Sequence, residues 1–221
     1  MNSSKRVGTL SIRLETLRSC YQGQERVWDI GCDHGHLGIS FQNEPSVKSI
    51  YFVDSSPDVI QLLTKVVKDS YITKAHILSL KGQDVKIAEK SNCIFIAGMG
   101  GKEIGEILTA LMPDLSEDSL LVLSPHRKIL ELRQKLGKWP LILREERVIE
   151  ENGQFYQILI LFKGDRGRRV SAYGEDIWEG EIGERYLEQQ LRTYSVHRDQ
   201  ASLSYLNYLK QRNTLKAGNS P

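Results

Sequence analysis

A chain of 221 residues, 40% hydrophobic and 26% charged, has the composition of an ordinary globular protein and the length for one sizeable core with a small appendage. A net charge of +2 neither demands nor forbids a polyanionic partner, so any nucleic-acid surface has to be a local patch. Cys20, Cys32 and Cys93 are odd in number and widely spaced, with no C-x-x-C, which excludes a fully paired disulfide framework and argues against a zinc ribbon. Reduced thiols in a cytoplasmic protein are expected.

The opening stretch, "MNSSKRVGTLSIRLETL", lacks the apolar run of a signal peptide, and no segment is apolar for long enough to span a bilayer, so no membrane partner is expected. Leu10, Leu14 and Leu17 fall at i, i+4 and i+7 and predict an amphipathic helix ending near Gly23. Apolar runs and helical patterns then alternate. "RVWDI" (26–30) leads into a glycine-rich loop and a short helix near 37–43. "SIYFVD" (49–54) precedes a helix opened by Ser56-Pro57-Asp58. "AHILSL" (75–80), "CIFIAG" (93–98) and "SLLVLS" (119–124) are further strands, with helices near 101–111 and 126–136. This spacing predicts a parallel sheet with helices on both faces.

The pattern changes at "LILREERVIEENGQFYQILILFKG", two strands joined through Asn152-Gly153. A parallel sheet finished by an antiparallel hairpin predicts an α/β fold of the class I methyltransferase (Rossmann-like) type, seven-stranded. From about Lys163 a basic connector, "KGDRGRR", and an acidic stretch lead to a helical region. There Leu187, Leu191, Tyr194, Leu203, Leu206 and Leu209 are candidates to line a helical hairpin, and "KAGNSP" is expected to be a disordered tail.

The stretch "DIGCDHGHLG" (29–38) carries the densest chemistry. Gly31 permits a sharp turn and close ligand approach, and Gly35 and Gly38 permit tight packing where the next helix begins. Asp54 ends the following strand, 25 positions after Asp29, close to where a ribose-binding carboxylate is expected. A dinucleotide site would place glycine at position 33, because pyrophosphate must meet bare amides. Asp33 would repel that phosphate but suits a sulfonium and an ammonium, which favours S-adenosylmethionine as the cofactor. Asp33 is also a candidate helix cap, and His34 and His36 are candidate hydrogen-bonded loop residues. No third or fourth ligand stands at a spacing that would make these histidines a metal site, and none is expected.

A second loop, "IAGMGG" (96–101), follows a strand directly. With "LSIRLETL" (10–17), "DIGCDHGHL" (29–37) and "VIEENGQFYQILI" (148–160), it resembles the bacterial tRNA (adenine(22)-N1)-methyltransferase family, in matching order over about residues 8–163. A monomer is expected, and separately the resemblance implies methylation of adenine N1 in the tRNA D-arm by an S-adenosylmethionine-dependent enzyme. It implies a cofactor-binding domain over 1–163 and a helical, coiled-coil-like tRNA-contacting domain over 164–215, with 216–221 as the tail. Carried over by position, Asp29, Gly31, Cys32, Asp33, Gly35 and His34 belong to the cofactor loop, and Asp54 to the ribose hydroxyls. Ala97, Gly98, Met99, Gly100 and Gly101 flank cofactor and target base, and Arg13 faces the active site or RNA, or braces the loop.

Three departures stand out. Family members read close to Gln-Pro-Asn where this chain has Ser124-Pro125-His126, beside the expected target base. The adenine-reading aspartate usually sits in a Gly-Asp-Gly-like turn, whereas "KGQD" leaves Gln83 or Asp84 for the role. The C-terminal helical region is also shorter than the family's. For catalysis the candidates are Asp33, His34, Met99 and His126: Asp33 to stabilise charge growing on the adenine, the histidines to orient the base, and Met99 to wall the pocket. Pro125 accompanies His126 at the base, and Arg166, Arg168 and Arg169 are the candidate phosphate contacts.

Overall fold

The computed structural model describes residues 10–87, 90–197 and 199–218. α1 (Ile12–Ser19) is capped by Ser11, whose side chain accepts the Leu14 N–H at 3.3 Å, and it lays Leu17 fully into the core. β1 (Arg26–Ile30), β2 (Ser49–Asp54), β3 (Ala75–Ser79), β4 (Asn92–Ala97) and β5 (Leu120–Ser124) run parallel. Their links include α2 (His36–Ile39), α3 (Pro57–Asp69), a single 3₁₀ turn at Gly82–Asp84, and α4 (Gly101–Leu111). After α5 (Ile129–Leu136), β6 (Leu141–Glu151) and β7 (Gln154–Lys163) form the hairpin, turning at Asn152 and Gly153, both with positive φ.

The sheet order is β3-β2-β1-β4-β5-β7-β6, so β7 inserts antiparallel between β5 and β6. The seven-stranded α/β architecture expected from the strand spacing is therefore present. β1, β4 and β5 are buried along nearly their whole length, as strands covered on both faces must be. One core cluster gathers Ile30, Ile94, Ile107 and Leu121 on one face, and the other gathers Leu17, Phe52, Phe95 and Val122 on the opposite face. Strand order reverses between β1 and β4, where the loops leaving their carboxyl ends diverge and open a crevice.

α5 begins three residues later than the pattern at 126–136 suggests, because Pro125 is buried in the loop and Lys128 adopts φ 59°. α2 is one turn rather than two. α6 (Gly180–Tyr194) and α7 (Gln200–Gly218) pair with each other, and Tyr186, Leu187, Tyr205 and Leu209 pack with Leu130 of α5 and with Val148 and Phe155 of the hairpin. Beneath them the buried Arg133 guanidinium pairs with Glu146 and donates to Gln157 Oε1 and the Ser171 carbonyl, both at 2.8 Å. The helical region thus shares its core with the hairpin. Residues 219–221 of the expected tail lie outside the described residues.

Candidate functional site

The crevice after β1 and β4 is a cavity of about 400 Å³, walled by the loops at 29–37 and 97–99 with Val53, Asp54, Leu80, Ile107 and His126. Its floor follows from backbone geometry. Gly31, with φ 74°, turns the chain so that its own amide and that of Cys32 both donate to the Val53 carbonyl, at 2.8 and 3.1 Å. A Cβ at Gly31 would stand 2.3 Å from the Met99 methyl, so Met99 packs onto the turn at this residue, where no side chain intervenes. Gly35, with φ 69°, packs where Leu63 and Phe52 leave no room for a Cβ, and it opens α2.

Three carboxylates converge on this side. Asp29 is buried and accepts the Gly38 N–H at 2.9 Å. Burial, with the nearby Asp54 and Asp33 charges, pushes its carboxyl up to about 7 against that hydrogen bond. Asp54 accepts the Asp33 N–H at 3.3 Å through one oxygen and the Ser56 N–H at 2.9 Å through the other. Asp33 sits in the left-handed region at φ 48°, exposed, with Oδ2 2.8 Å from His34 Nδ1. It caps no helix: Gly35 occupies the cap position of α2, with no side-chain cap bond. Cys32 is buried beside these acids, and burial together with their charge drives its thiol well up, leaving a neutral wall. An anionic rim of this kind repels phosphate and attracts cations and hydroxyl donors.

The opposite lip is basic. Arg13, from α1, donates to His126 Nε2 and stacks with its Cζ 5.1 Å from the Tyr156 centroid. His126 donates its backbone N–H to the Met99 carbonyl at 3.0 Å, which ties the two loops together. Its imidazole is held below the ordinary histidine value by burial, then by Arg13 and Arg127. His34 and His36 stack face to face at 5.8 Å, both exposed, and no metal-capable group of three His, Cys, Asp or Glu occurs among the described residues.

The structure brings together Arg13, Asp29, Gly31, Cys32, Asp33, His34, Asp54, Ala97, Gly98, Met99 and His126 around one cavity. Others are placed differently. Gly35 lies beneath the loop rather than on the cavity wall, and Pro125 is buried. Gly101 packs against the loop before α5, where a Cβ would meet the Lys128 carbonyl oxygen at 2.4 Å. Gln83 and Gly100 line a neighbouring cleft with Arg127 and Lys128, and Asp84 is exposed, so Leu80 and Gly82 stand where an adenine-reading side chain was expected. The reason is local: Gly82 packs so tightly on Ile107 and Ile30 that backbone, not a side chain, faces the cavity.

The basic connector is not brought to the cavity. β7 runs antiparallel to β5 and pairs Phe162 with Leu120, so Arg166, Arg168 and Arg169 emerge at the edge of the sheet opposite the crevice. Arg168 pairs with Asp176 at 2.6 Å, Arg169 donates to the Trp139 carbonyl, and Arg166 is exposed. Sequence reasoning missed Tyr156 and Glu151. Both sit near the hairpin tip, and the Arg13 N–H bond to Glu151 and the Arg13 stack on Tyr156 show that the tip reaches α1.

The methyltransferase-domain family matches residues 10–159. A curated tRNA (adenine(22)-N(1))-methyltransferase of Bacillus subtilis is 29% identical over 160 residues, 71% of this chain, and the match spans 66% of that protein's length. The crystal structure of the B. subtilis m1A22 tRNA methyltransferase TrmK is similar with a TM-score of 0.75 at 24% identity, covering 92% of this chain and 95% of that one. Streptococcus pneumoniae Sp1610 in complex with S-adenosyl-L-methionine gives 0.75 at 23% identity, covering 92% and 99%. At these identities the solved structures establish a shared fold.

Proposed function

The chain belongs to the methyltransferase-domain family, and we propose that it transfers a methyl group from S-adenosylmethionine to N1 of an adenine in the tRNA D-arm, at position 22. The observation that carries this reading is the convergence of Asp29, Asp33 and Asp54 on a cavity floored by the tight turn at Gly31. Such a rim fits a ligand with a sulfonium, an ammonium and ribose hydroxyls and rejects a pyrophosphate. The sequence likeness to the curated B. subtilis enzyme supports the choice of tRNA.

S-adenosylmethionine supplies an electrophilic methyl group and leaves with its carbon–sulfur bonding electrons on sulfur. Asp54 holds the ribose hydroxyls. Asp29 and Asp33 face its cationic end. Adenine N1 is unprotonated near neutral pH, so its lone pair forms the new bond without a general base, and the work left to the protein is alignment. Positive charge grows on the adenine as it leaves sulfur, and Asp33, on the exposed turn, stabilises it or accepts from the exocyclic amine. Met99 supplies a flat wall, and His34 and His126 border the opening. A D-arm adenine has to be splayed out to reach this depth, at a cost of a few kcal/mol offset by pocket contacts.

The decisive test is incubation with labelled S-adenosylmethionine and unmodified tRNA, then digestion to nucleosides. Label in 1-methyladenosine is expected. Label in no nucleoside sinks the reading, and label in another nucleoside moves the site.

A further inference from the structure

Arg13 is held in place by three elements that lie far apart in the chain. Its backbone N–H donates to Glu151 Oε1 of β6 at 3.0 Å, its guanidinium stacks on Tyr156 of β7, and Nη1 donates to His126 Nε2 in the loop after β5. Arginine has donors only, so the His126 nitrogen that receives this bond must carry a lone pair. The neutral imidazole with its proton on Nδ1 is the form that supplies it. His126 in turn has a ring 5.3 Å from Tyr156 and a backbone bonded to Met99, which tether this exposed residue to the cavity wall. The guanidinium faces the cavity opposite the three carboxylates, over Gly98, where a Cβ would lie 3.8 Å from Nη2.

We propose that His126 is a positioning residue that holds the Arg13 guanidinium as the oxyanion-recognising arm of the cavity. This rests on the methyl-transfer reading for its two candidate oxyanions, the carboxylate of the cofactor's amino-acid end and a phosphodiester beside the target base. A guanidinium fork offers two parallel N–H donors to either. The groups facing His126 are Arg13 from α1, Arg127 beside it in the loop and Tyr156 from β7, with Glu151 of β6 reaching the Arg13 backbone. Protonation at acid pH removes the acceptor and sets a third cation against Arg13 and Arg127, so the arm is released.

The test is calorimetric binding of S-adenosylmethionine, 5′-methylthioadenosine and unmodified tRNA to the full chain between pH 5 and 8. Wild type is compared with Arg13→Ala, His126→Ala and His126→Gln, whose side-chain oxygen replaces the Nε2 acceptor without titrating. Arg13→Ala and His126→Ala are expected to weaken the same ligand about tenfold, the size of one charge-assisted hydrogen bond. His126→Gln should recover most of that loss and show a smaller fall in affinity at acid pH than wild type, what remains being the share of Asp29. A loss for S-adenosylmethionine but not for 5′-methylthioadenosine, which lacks the amino-acid end, assigns the oxyanion to the carboxylate. A loss confined to tRNA assigns it to the phosphodiester. Wild-type affinities in either alanine variant, or a fall in affinity at acid pH as large in His126→Gln as in wild type, overturn the proposal. Because binding is read rather than transfer, absence of 1-methyladenosine would end the substrate reading without deciding this one.

Discussion

Asp29 Oδ2 and the Gly38 amide meet at 2.9 Å, joining the end of β1 to the first turn of α2 across the cavity floor. The carboxyl that makes this bond is buried, and its value of about 7 stands well above the 3.8 of a free aspartate. Between about pH 4 and 7 the native state therefore keeps a proton that the unfolded chain has released, so Asp29 makes stability fall as pH rises through that window. Asp29→Asn removes the slope. Unfolding by denaturant at pH 5 and pH 8 should show the variant gaining on wild type at the higher pH, by on the order of a few kcal/mol. An unchanged gap would contradict the assignment.

Two glycines of the site have different duties, and alanine separates them. At Gly31 the new Cβ meets the mobile end of Met99 and a φ of 74°, so Gly31→Ala should cost about 1–2 kcal/mol of stability but displace Met99 into the cavity. Its main effect is expected on S-adenosylmethionine affinity. At Gly101 the new Cβ meets the Lys128 carbonyl, which belongs to the backbone and cannot swing away, so Gly101→Ala should cost about 1–3 kcal/mol while cofactor affinity changes less. Thermal unfolding and calorimetry on the same two variants measure both halves.

The parts of this molecule that were legible in its sequence are those governed by local pattern. Asn152-Gly153 announces the hairpin, and β1 followed by Gly31 announces the loop. A carboxylate at position 33 separates a cationic ligand from a phosphate. Gln83 lines the neighbouring cleft and Asp84 is exposed, while Gly82 lines the cavity itself, a placement set by close packing on Ile107 that residue type does not reveal. Arg166, Arg168 and Arg169 are adjacent in sequence to the hairpin, and strand direction, which residue type does not show, sets them at the end of the sheet away from the cavity. Tyr156 and Glu151 were invisible for the converse reason, since long-range contact alone brings them to Arg13.

Arg133 and Glu146 form a buried pair whose other bonds tie the sheet to the C-terminal helices. Glu146 Oε1 accepts the Glu175 and Asp176 amides at 2.5 and 2.8 Å, and Gln157, held by Arg133, donates to the Tyr186 hydroxyl at 2.8 Å. Removing one partner leaves an uncompensated buried charge, so Arg133→Met should cost about 3–5 kcal/mol. Hydrogen exchange should rise first in α6 and α7. Adding Glu146→Leu should restore only part of the loss, because the two amides at 175 and 176 then lack their acceptor. Full recovery would mean that the pair, and not the wider network, carries the attachment.

Arg127 and the basic connector make opposite predictions about where tRNA approaches. Arg127 lies beside His126 at the cavity lip, in the cleft with Lys102 and Lys128. Arg168 is neutralised by Asp176, and the Arg169 guanidinium is spent on the Trp139 carbonyl at the far edge. Removing one cation that neutralises a phosphate at the lip should weaken tRNA binding about tenfold at low salt and make its salt dependence shallower by about one unit of slope. Arg127→Ala is expected to do both, while the combined substitution of Arg166, Arg168 and Arg169 by alanine should change affinity less than about threefold, as expected of charges outside the RNA-facing surface. Filter binding from 50 to 200 mM salt, about the range over which phosphate neutralisation is felt most, distinguishes the two. If the connector variant flattened the slope and Arg127→Ala did not, the tRNA would wrap the far edge of the sheet, and the target base would have to reach the cavity from there.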